Sequence, residues 1–215
     1  TIEITGNLDL NGSSVFVAGA WQQTGAFTAS GGSVVFNGDT AMTAPDNVQF
    51  GNLTIWGRLV APAGTINVAG DWINDGHFEH NNGTVNFNGN SRVYGTLWPV
   101  FGNVRVSGDL TGHDTQIVVQ GSWNAQDGVF HHNGGSVVLA GAAGQSIQTG
   151  GAWNNLANNW KNNWNRLEIQ NASVAGVSFL DGFTAREFVC VTPNASLYFQ
   201  NQQGVTNVFV VSAPG

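Results

Sequence analysis

The sequence predicts an all-β protein built as a β-solenoid, a parallel β-helix, from repeats of about 51 residues. Three observations support this fold class. Apolar positions recur with that period, they alternate with variable positions as in half-buried strands, and Asn-Gly, Gly-Gly and Gly-Asp pairs separate the short apolar runs. Such pairs supply the positive φ that tight turns require.

Two aromatic columns define the repeat. The first contains the tryptophans that follow a glycine by two residues, which are Trp21, Trp72 and Trp123. The second contains the phenylalanines found six or seven residues later, which are Phe27, Phe78 and Phe130. The aliphatic columns keep the same spacing, so we expect both aromatic columns to point into a continuous core.

We interpret residues 1–215 as a single repeat domain. Its copies span 1–50, 51–101 and 102–150, a degraded copy spans 165–215, and a Trp- and Asn-rich insertion spans 151–164. We expect two coils of about 25 residues in each repeat, which would place equivalent residues about 10 Å apart along the axis. An antiparallel β-sandwich is the alternative, but columns that keep their identity over three copies favour stacked coils.

The composition argues against two classes of partner. The chain has a formal net charge of −7, and only 9% of its residues are charged, against about 25% in an average protein. Nucleic-acid binding needs clustered Lys and Arg, and no stretch approaches the roughly 20 apolar residues of a membrane-spanning helix. We therefore expect no nucleic-acid partner and no membrane insertion.

Two segments of the second repeat resemble a known repeat type. The runs 61–72 (APAGTINVAGDW) and 76–89 (GHFEHNNGTVNFNG) are similar to a repeat of large secreted bacterial and archaeal β-solenoid surface proteins, of the adhesin or matrix-filament type. The resemblance is strongest for 51–89 and weak after residue 150. It implies an extracellular or cell-surface location on a β-solenoid scaffold, and it transfers no catalytic residue.

The insertion interrupts the strand pattern with apolar residues spaced 3, 4, 4 and 3, as on one face of a helix: Trp153, Leu156, Trp160, Trp164 and Leu167. The favoured interpretation is a lid that covers apolar surface. Docking of a neighbouring subunit and stacking on a sugar are the alternatives for Trp153, Leu156, Trp160 and Trp164.

The two ends of the repeat array show strong strand patterns without a polar capping element. Solenoid ends expose unpaired backbone groups, and uncapped ends template association. Either the sequence is a piece of a longer array, or its ends pair with other copies. The residues predicted to form such a subunit contact are Thr1, Ile2, Ile4, Leu8, Val208, Phe209, Val210 and Val211.

The sequence contains no recognisable catalytic or cofactor motif. Most aspartates lie beside glycines at predicted turns, and the His77, His80, His131 and His132 side chains are better explained as exposed strand residues than as metal ligands. We therefore predict no catalytic residue, no metal and no cofactor. Asn82 is a candidate glycosylation site in a predicted turn, and Cys190 is expected to be a buried thiol.

The leading functional hypothesis is a non-enzymatic structural subunit of an extracellular filament or biofilm matrix, which assembles with copies of itself head-to-tail. The alternative is a cell-surface adhesin module that binds surface glycans or a partner protein. A polysaccharide-active enzyme is the least favoured hypothesis, because no cluster of carboxylates is apparent.

Overall fold

The protein is a β-solenoid with parallel strand pairing, as predicted, and the antiparallel sandwich is wrong. The computed structural model describes residues 1–151 and 162–200, and it contains no helix within those ranges. Among the described residues no helix is long and apolar enough to cross a membrane.

The strands are short and evenly distributed. The first repeat contains β1 (Ile2–Ile4), β2 (Asn7–Asp9), β3 (Ser14–Val17), β4 (Trp21–Gln23), β5 (Ala26–Thr28), β6 (Ser33–Phe36), β7 (Asp39–Thr43) and β8 (Val48–Phe50). The second contains β9 (Asn52–Ile55), β10 (Arg58–Val60), β11 (Thr65–Val68), β12 (Trp72–Asn74), β13 (His77–Glu79), β14 (Thr84–Phe87), β15 (Asn90–Tyr94) and β16 (Val100–Phe101).

The rest of the chain follows the same plan with longer strands near its end. The third repeat contains β17 (Asn103–Val106), β18 (Asp109–Thr111), β19 (Gln116–Val119), β20 (Trp123–Asn124), β21 (Val129–His131), β22 (Ser136–Leu139) and β23 (Gln145–Gln148). Then follow β24 (Asn162–Ile169), β25 (Val177–Phe179), β26 (Thr184–Cys190) and β27 (Leu197–Phe199).

The coils have three faces, here called A, B and C in the order in which the chain visits them. Face A begins with β1, β4 and β7, face B with β2, β5 and β8, and face C with β3, β6 and β9. Face B contains one strand from each coil, two in its first sheet and eight in its second, so the described residues form ten coils.

The coil is shorter than the expected 25 residues. Val15 pairs with Val34, and Val34 pairs with Leu53, so each of these coils takes 19 residues. A repeat has eight strands, which at three strands per coil makes two and two-thirds coils. Equivalent residues therefore move to a different face with each repeat, about 13 Å further along the axis at ~4.8 Å per coil. Trp21 lies on face A, Trp72 on face C and Trp123 on face B.

Each repeat builds the same aromatic group in the core despite this rotation. The rings of Trp21 and Phe27 meet edge-on with centroids 5.0 Å apart, and Phe50 lies 5.7 Å from Trp21. The second repeat forms the same group with Trp72, Phe78 and Phe101, and the third forms it with Trp123, Phe130 and Trp164. All of these rings are buried. Edge-on aromatic pairs contribute energy beyond their buried area.

The insertion does not place Trp164 on the surface. Trp164 is buried in β24, 5.3 Å from Trp123, where the first two repeats have Phe50 and Phe101. Trp164 is therefore a core residue, and the lid or docking role suggested for it is not supported by its position. Trp153, Leu156 and Trp160 lie outside the described residues.

Some coil corners bring backbone so close that only glycine fits. A Cβ atom on Gly57 would lie 2.3 Å from the carbonyl oxygen of Gly38 in the preceding coil, and a Cβ on Gly76 would lie 2.1 Å from that of Gly57. The same ladder contains the hydrogen bond from the Arg58 N–H to the Gly38 oxygen, at 2.9 Å. The coils can therefore stack at this distance only if the corner residue has no side chain.

The second repeat leaves one buried polar pair unsatisfied. The Trp21 indole N–H donates to Gln23 Oε1 at 3.4 Å, but Asn74 replaces the glutamine after Trp72. Within the described part of the chain, neither Trp72 Nε1 nor Asn74 Oδ1 has a hydrogen-bond partner. Asparagine is one methylene shorter than glutamine, which accounts for the missing bond.

The Asn74→Gln variant is expected to be more stable than the wild type by about 1 kcal/mol, because the buried Trp72 N–H gains an acceptor. The amide nitrogen would exchange its hydrogen bond to the Leu97 oxygen for one to the Gly76 oxygen, as Gln23 Nε2 donates to the Gly25 oxygen. Chemical denaturation at constant m-value would measure the change. The matched change Gln23→Asn should cost a similar amount in the first repeat. Destabilisation by Asn74→Gln would show that the core there has no room for the longer side chain.

Candidate functional site

The upstream edge of the first coil is the first candidate surface. Among residues 1–151 and 162–200, β1, β2 and β3 are each paired on their downstream side only. The Ile2 N–H donates to the Ala20 oxygen at 2.8 Å, and the Ile4 oxygen accepts from the Thr24 N–H at 2.9 Å. Backbone groups alternate in direction along a strand, so the N–H and C=O of Glu3 point towards the open edge.

The core residues of the first coil are covered on one side only. Ile2, Leu8 and Val15 are half-buried and pack against the core. Their neighbours one coil downstream are buried: Trp21, Phe27 and Val34. Placing another coil upstream would remove the remaining apolar surface of Ile2, Leu8 and Val15 from water, which favours association.

One glycine at this edge lies in open space. A Cβ atom on Gly25 would lie 2.1 Å from the carbonyl oxygen of Gly6, as at the other glycine corners. Gly6 begins this column, and a Cβ on Gly6 would meet no atom within 4 Å among the described residues. The edge therefore has the backbone shape that accepts a further coil, and no described residue occupies that place.

Four of the eight predicted contact residues are among the described residues, and the other four are not. Thr1 is exposed at this edge, Ile2 and Leu8 are half-buried there, and Ile4 is buried against the second coil. Val208, Phe209, Val210 and Val211 lie outside the described residues. Their contribution to a contact stays a prediction.

Asn82 and Cys190 are both exposed, which agrees with the prediction for Asn82 and contradicts the prediction for Cys190. Asn82 is exposed in a turn with a φ of 56°, and its N–H donates to His80 Nδ1. The prediction of a buried Cys190 is wrong, because this thiol is exposed at the end of β26. In the described ranges no three His, Cys, Asp or Glu side chains are grouped as metal ligands would be.

The second candidate surface is a cleft that sequence reasoning missed. It has a volume of about 480 Å³ and lies between β13 and the loop that joins β15 to β16. Its walls include the exposed side chains of Leu97 and Trp98, together with His77, Glu79, His80 and Gln120. An exposed tryptophan beside several polar groups is typical of ligand sites.

The cleft could have been noticed from one departure between repeats. Leu97 and Trp98 stand where the first repeat has Asp46 and Asn47, which are polar turn residues. Two large apolar side chains in a turn are unusual, because turns expose their side chains to water.

The comparisons with known proteins identify no relative. No protein-family model, no curated protein and no solved structure gives a significant match to this chain. The resemblance to bacterial and archaeal surface repeats therefore remains an expectation from the sequence, and the function rests on the two surfaces described above.

Proposed function

We propose that this protein is a non-enzymatic structural subunit of an extracellular filament or matrix, and that its copies associate head-to-tail through their solenoid ends. The upstream edge of β1, β2 and β3, which no described strand pairs with, is the observation on which the proposal rests. The resemblance to secreted bacterial and archaeal surface repeats supports the extracellular setting.

The repeat itself suggests a second copy as the occupant of this edge. The equivalent of β1 one repeat later is β9, which pairs in parallel with β6 through Leu53 and Val34. The sequence of β27 resembles that of β6, and β27 pairs in parallel with β25. A β1 strand placed downstream of a β27-type strand would therefore repeat a junction that the protein already contains.

The downstream surface in this proposal includes the strand predicted from Val205 to Val211. Such a contact joins unlike surfaces, so each added copy leaves the same two surfaces open. Growth is then unlimited in one direction, and the product is a filament rather than a closed ring. The backbone hydrogen bonds of the added coil supply affinity, as in other cases of strand addition.

The Gly6→Ala variant is expected to fold normally and to fail to assemble. Its Cβ meets no atom within 4 Å among the described residues, but it would clash with a carbonyl oxygen of an upstream coil, as a Cβ on Gly25 would clash with Gly6. Light scattering over a concentration series should show growth for the wild type and a constant monomer mass for Gly6→Ala. Gly6→Ala assembly equal to wild type, or a wild type that stays monomeric throughout, contradicts the proposal.

A second pair of variants tests the open backbone groups. Glu3→Pro removes the N–H that points upstream and is compatible with an edge strand, whereas Glu3→Ala changes the side chain alone. Glu3→Pro should block assembly and Glu3→Ala should retain it. If both variants assemble equally well, the β1 backbone edge is not the contact.

The cleft around Trp98 favours a second candidate function. A cell-surface adhesin module needs an exposed recognition site on a rigid scaffold, and the cleft meets this description. The two functions are compatible, because the cleft is formed by the middle coils rather than the ends.

A further inference from the structure

The loop that presents Trp98 is held firmly against the coil before it. The Thr96 N–H and hydroxyl donate to Asp75 Oδ1 at 2.7 and 2.9 Å, and the Leu97 N–H donates to the Asn74 oxygen at 3.0 Å. Asn74 Nδ2 donates in return to the Leu97 oxygen at 3.1 Å. Because these hydrogen bonds already fix the loop, it loses little conformational entropy when it binds a ligand.

The carboxylate of Glu79 in the cleft wall is also held in one position. Arg58 donates to both oxygens of Glu79, at 2.7 and 2.8 Å, and to Asp39 Oδ1 at 2.8 Å. These hydrogen bonds from Arg58 hold the pKa of the Glu79 carboxyl below its usual range. His77 Nε2 lies 3.2 Å from Glu79 Oε1. Glu79 is therefore an ionised acceptor with one orientation.

Gln120 provides a donor whose orientation follows from His80. His80 Nδ1 accepts the Asn82 N–H at 3.0 Å, so the ring proton lies on Nε2 and is donated to Gln120 Oε1 at 2.9 Å. The amide nitrogen of Gln120 then has two hydrogens with no protein acceptor among the described residues. Gln120 is 40 residues from His80 in sequence, and the stacking of coils brings the two together.

The scaffold does not require these side chains. At the equivalent positions of the first repeat, Thr28 replaces Glu79, Ala29 replaces His80 and Ala69 stands one repeat before Gln120. The coils of the first repeat stack with the smaller side chains of Thr28 and Ala29 at these positions. The polar groups around Trp98 are therefore better explained by recognition than by folding.

We propose that this cleft binds a pyranose ring of a neutral polysaccharide, with the ring's apolar face against the Trp98 indole. Glu79 accepts and Gln120 donates hydrogen bonds to the sugar hydroxyls, and Leu97 excludes water beside the ring. A flat apolar face edged by hydroxyls matches an exposed indole next to fixed polar groups. The cleft volume of about 480 Å³ lies within the usual ~300–1,000 Å³ range of small-ligand sites.

Charge selects a neutral sugar over an acidic one. Glu79 and the nearby Asp39 share the single cation Arg58, and the chain has a net charge of −7. An acidic polysaccharide would meet repulsion from both sources. Among the residues that the structure describes, Glu79 is the one carboxylate that lines the cleft. Glycoside hydrolysis in most families uses two carboxylates, so the cleft has the groups for binding and lacks those for cleavage.

Titration calorimetry with soluble neutral oligosaccharides tests this site. The probes are hexasaccharides of β-1,3-glucose, β-1,4-glucose, β-1,4-mannose and β-1,4-N-acetylglucosamine, with a hexamer of galacturonic acid as the acidic comparison. We expect saturable binding of at least one neutral probe and none of the acidic one. Trp98→Ala should weaken that binding by about tenfold or more, and Gln120→Ala should weaken it measurably.

A matched control separates recognition from general exposure of tryptophan. Trp56 is 53% exposed against 51% for Trp98, and it does not line the cleft. Trp56→Ala should bind the probe like the wild type. The proposal is overturned by absence of binding to every neutral probe, by preference for the acidic probe, or by equal affinity of Trp98→Ala and wild type. The monomeric Gly6→Ala variant should bind normally, so failure of assembly and failure of binding are distinguishable.

Discussion

Replacing Trp72 by alanine is expected to lower the free energy of unfolding by about 3–5 kcal/mol. Trp72 has no exposed surface, and its ring lies 4.8 Å from Phe78, 6.3 Å from Phe87 and 5.2 Å from Phe101. The three phenylalanines come from two faces and two successive coils, so the cavity cannot close by the movement of one side chain. Urea denaturation followed by circular dichroism would measure the loss.

The control is an exposed tryptophan in the same repeat. Trp98 is 51% exposed, and Trp98→Ala should change stability by less than about 1 kcal/mol. Equal destabilisation by Trp72→Ala and Trp98→Ala would contradict the placement of the Trp column in the core.

Replacing Gly57 by alanine is expected to destabilise the protein by about 2–3 kcal/mol or more. The new Cβ would lie 2.3 Å from the Gly38 carbonyl oxygen, and backbone cannot yield as a flexible side chain can. The Arg58 N–H donates to that same oxygen at 2.9 Å, so separating the coils would also break the ladder. Thermal unfolding of the monomeric protein would report the change.

Gly6→Ala is the matched control, because Gly6 occupies the equivalent corner of the first described coil. Its Cβ would meet nothing within 4 Å among the described residues, and the variant should unfold within a few tenths of a kcal/mol of the wild type. A neutral Gly57→Ala would show that the coils are further apart at this corner than the structure has them.

The sequence allowed the fold class to be predicted but not the length of the coil. Ile2, Leu8, Val15, Trp21 and Phe27 are inward positions about six residues apart, and each is an acceptable neighbour for the others on a face. The period of 51 residues is the length of the sequence repeat. The length of a coil is set separately, by the three strands that form one turn of the solenoid. Because eight strands do not divide evenly by three, the two periods differ, and the sequence pattern contained only the longer one.

The helical spacing around Trp164 has a different cause. In β24, Asn162 and Trp164 are buried, and so are Leu167 and Ile169, which follow after two intermediate residues. The first part of β24 pairs with β21 on face C and the last part with β22 on face A. At the corner between the two faces, successive buried residues are three positions apart instead of two, from Trp164 to Leu167. In the sequence this spacing resembles helical periodicity.

The candidate surfaces differ in how far they could be predicted. The contact surface at Ile2 and Leu8 could be predicted, because the sequence there has a strong strand pattern and a strand inside a solenoid pairs on both sides. The cleft could not be predicted in the same way, because Glu79, Trp98 and Gln120 are brought together by stacking of coils whose length was not known from the sequence. Only the exposed pair Leu97 and Trp98 left a local signal.

Cryo-electron microscopy of the concentrated 215-residue protein tests head-to-tail assembly most directly. Ten described coils at ~4.8 Å each predict an axial rise of roughly 50 Å per subunit in a continuous parallel β-solenoid filament. Adding a small fraction of Gly6→Ala protein should shorten the filaments, because that variant can join a growing end but cannot accept a further upstream coil. Isolated particles one chain long at every concentration, or filaments in which the first coil is exposed to solvent, would contradict the account.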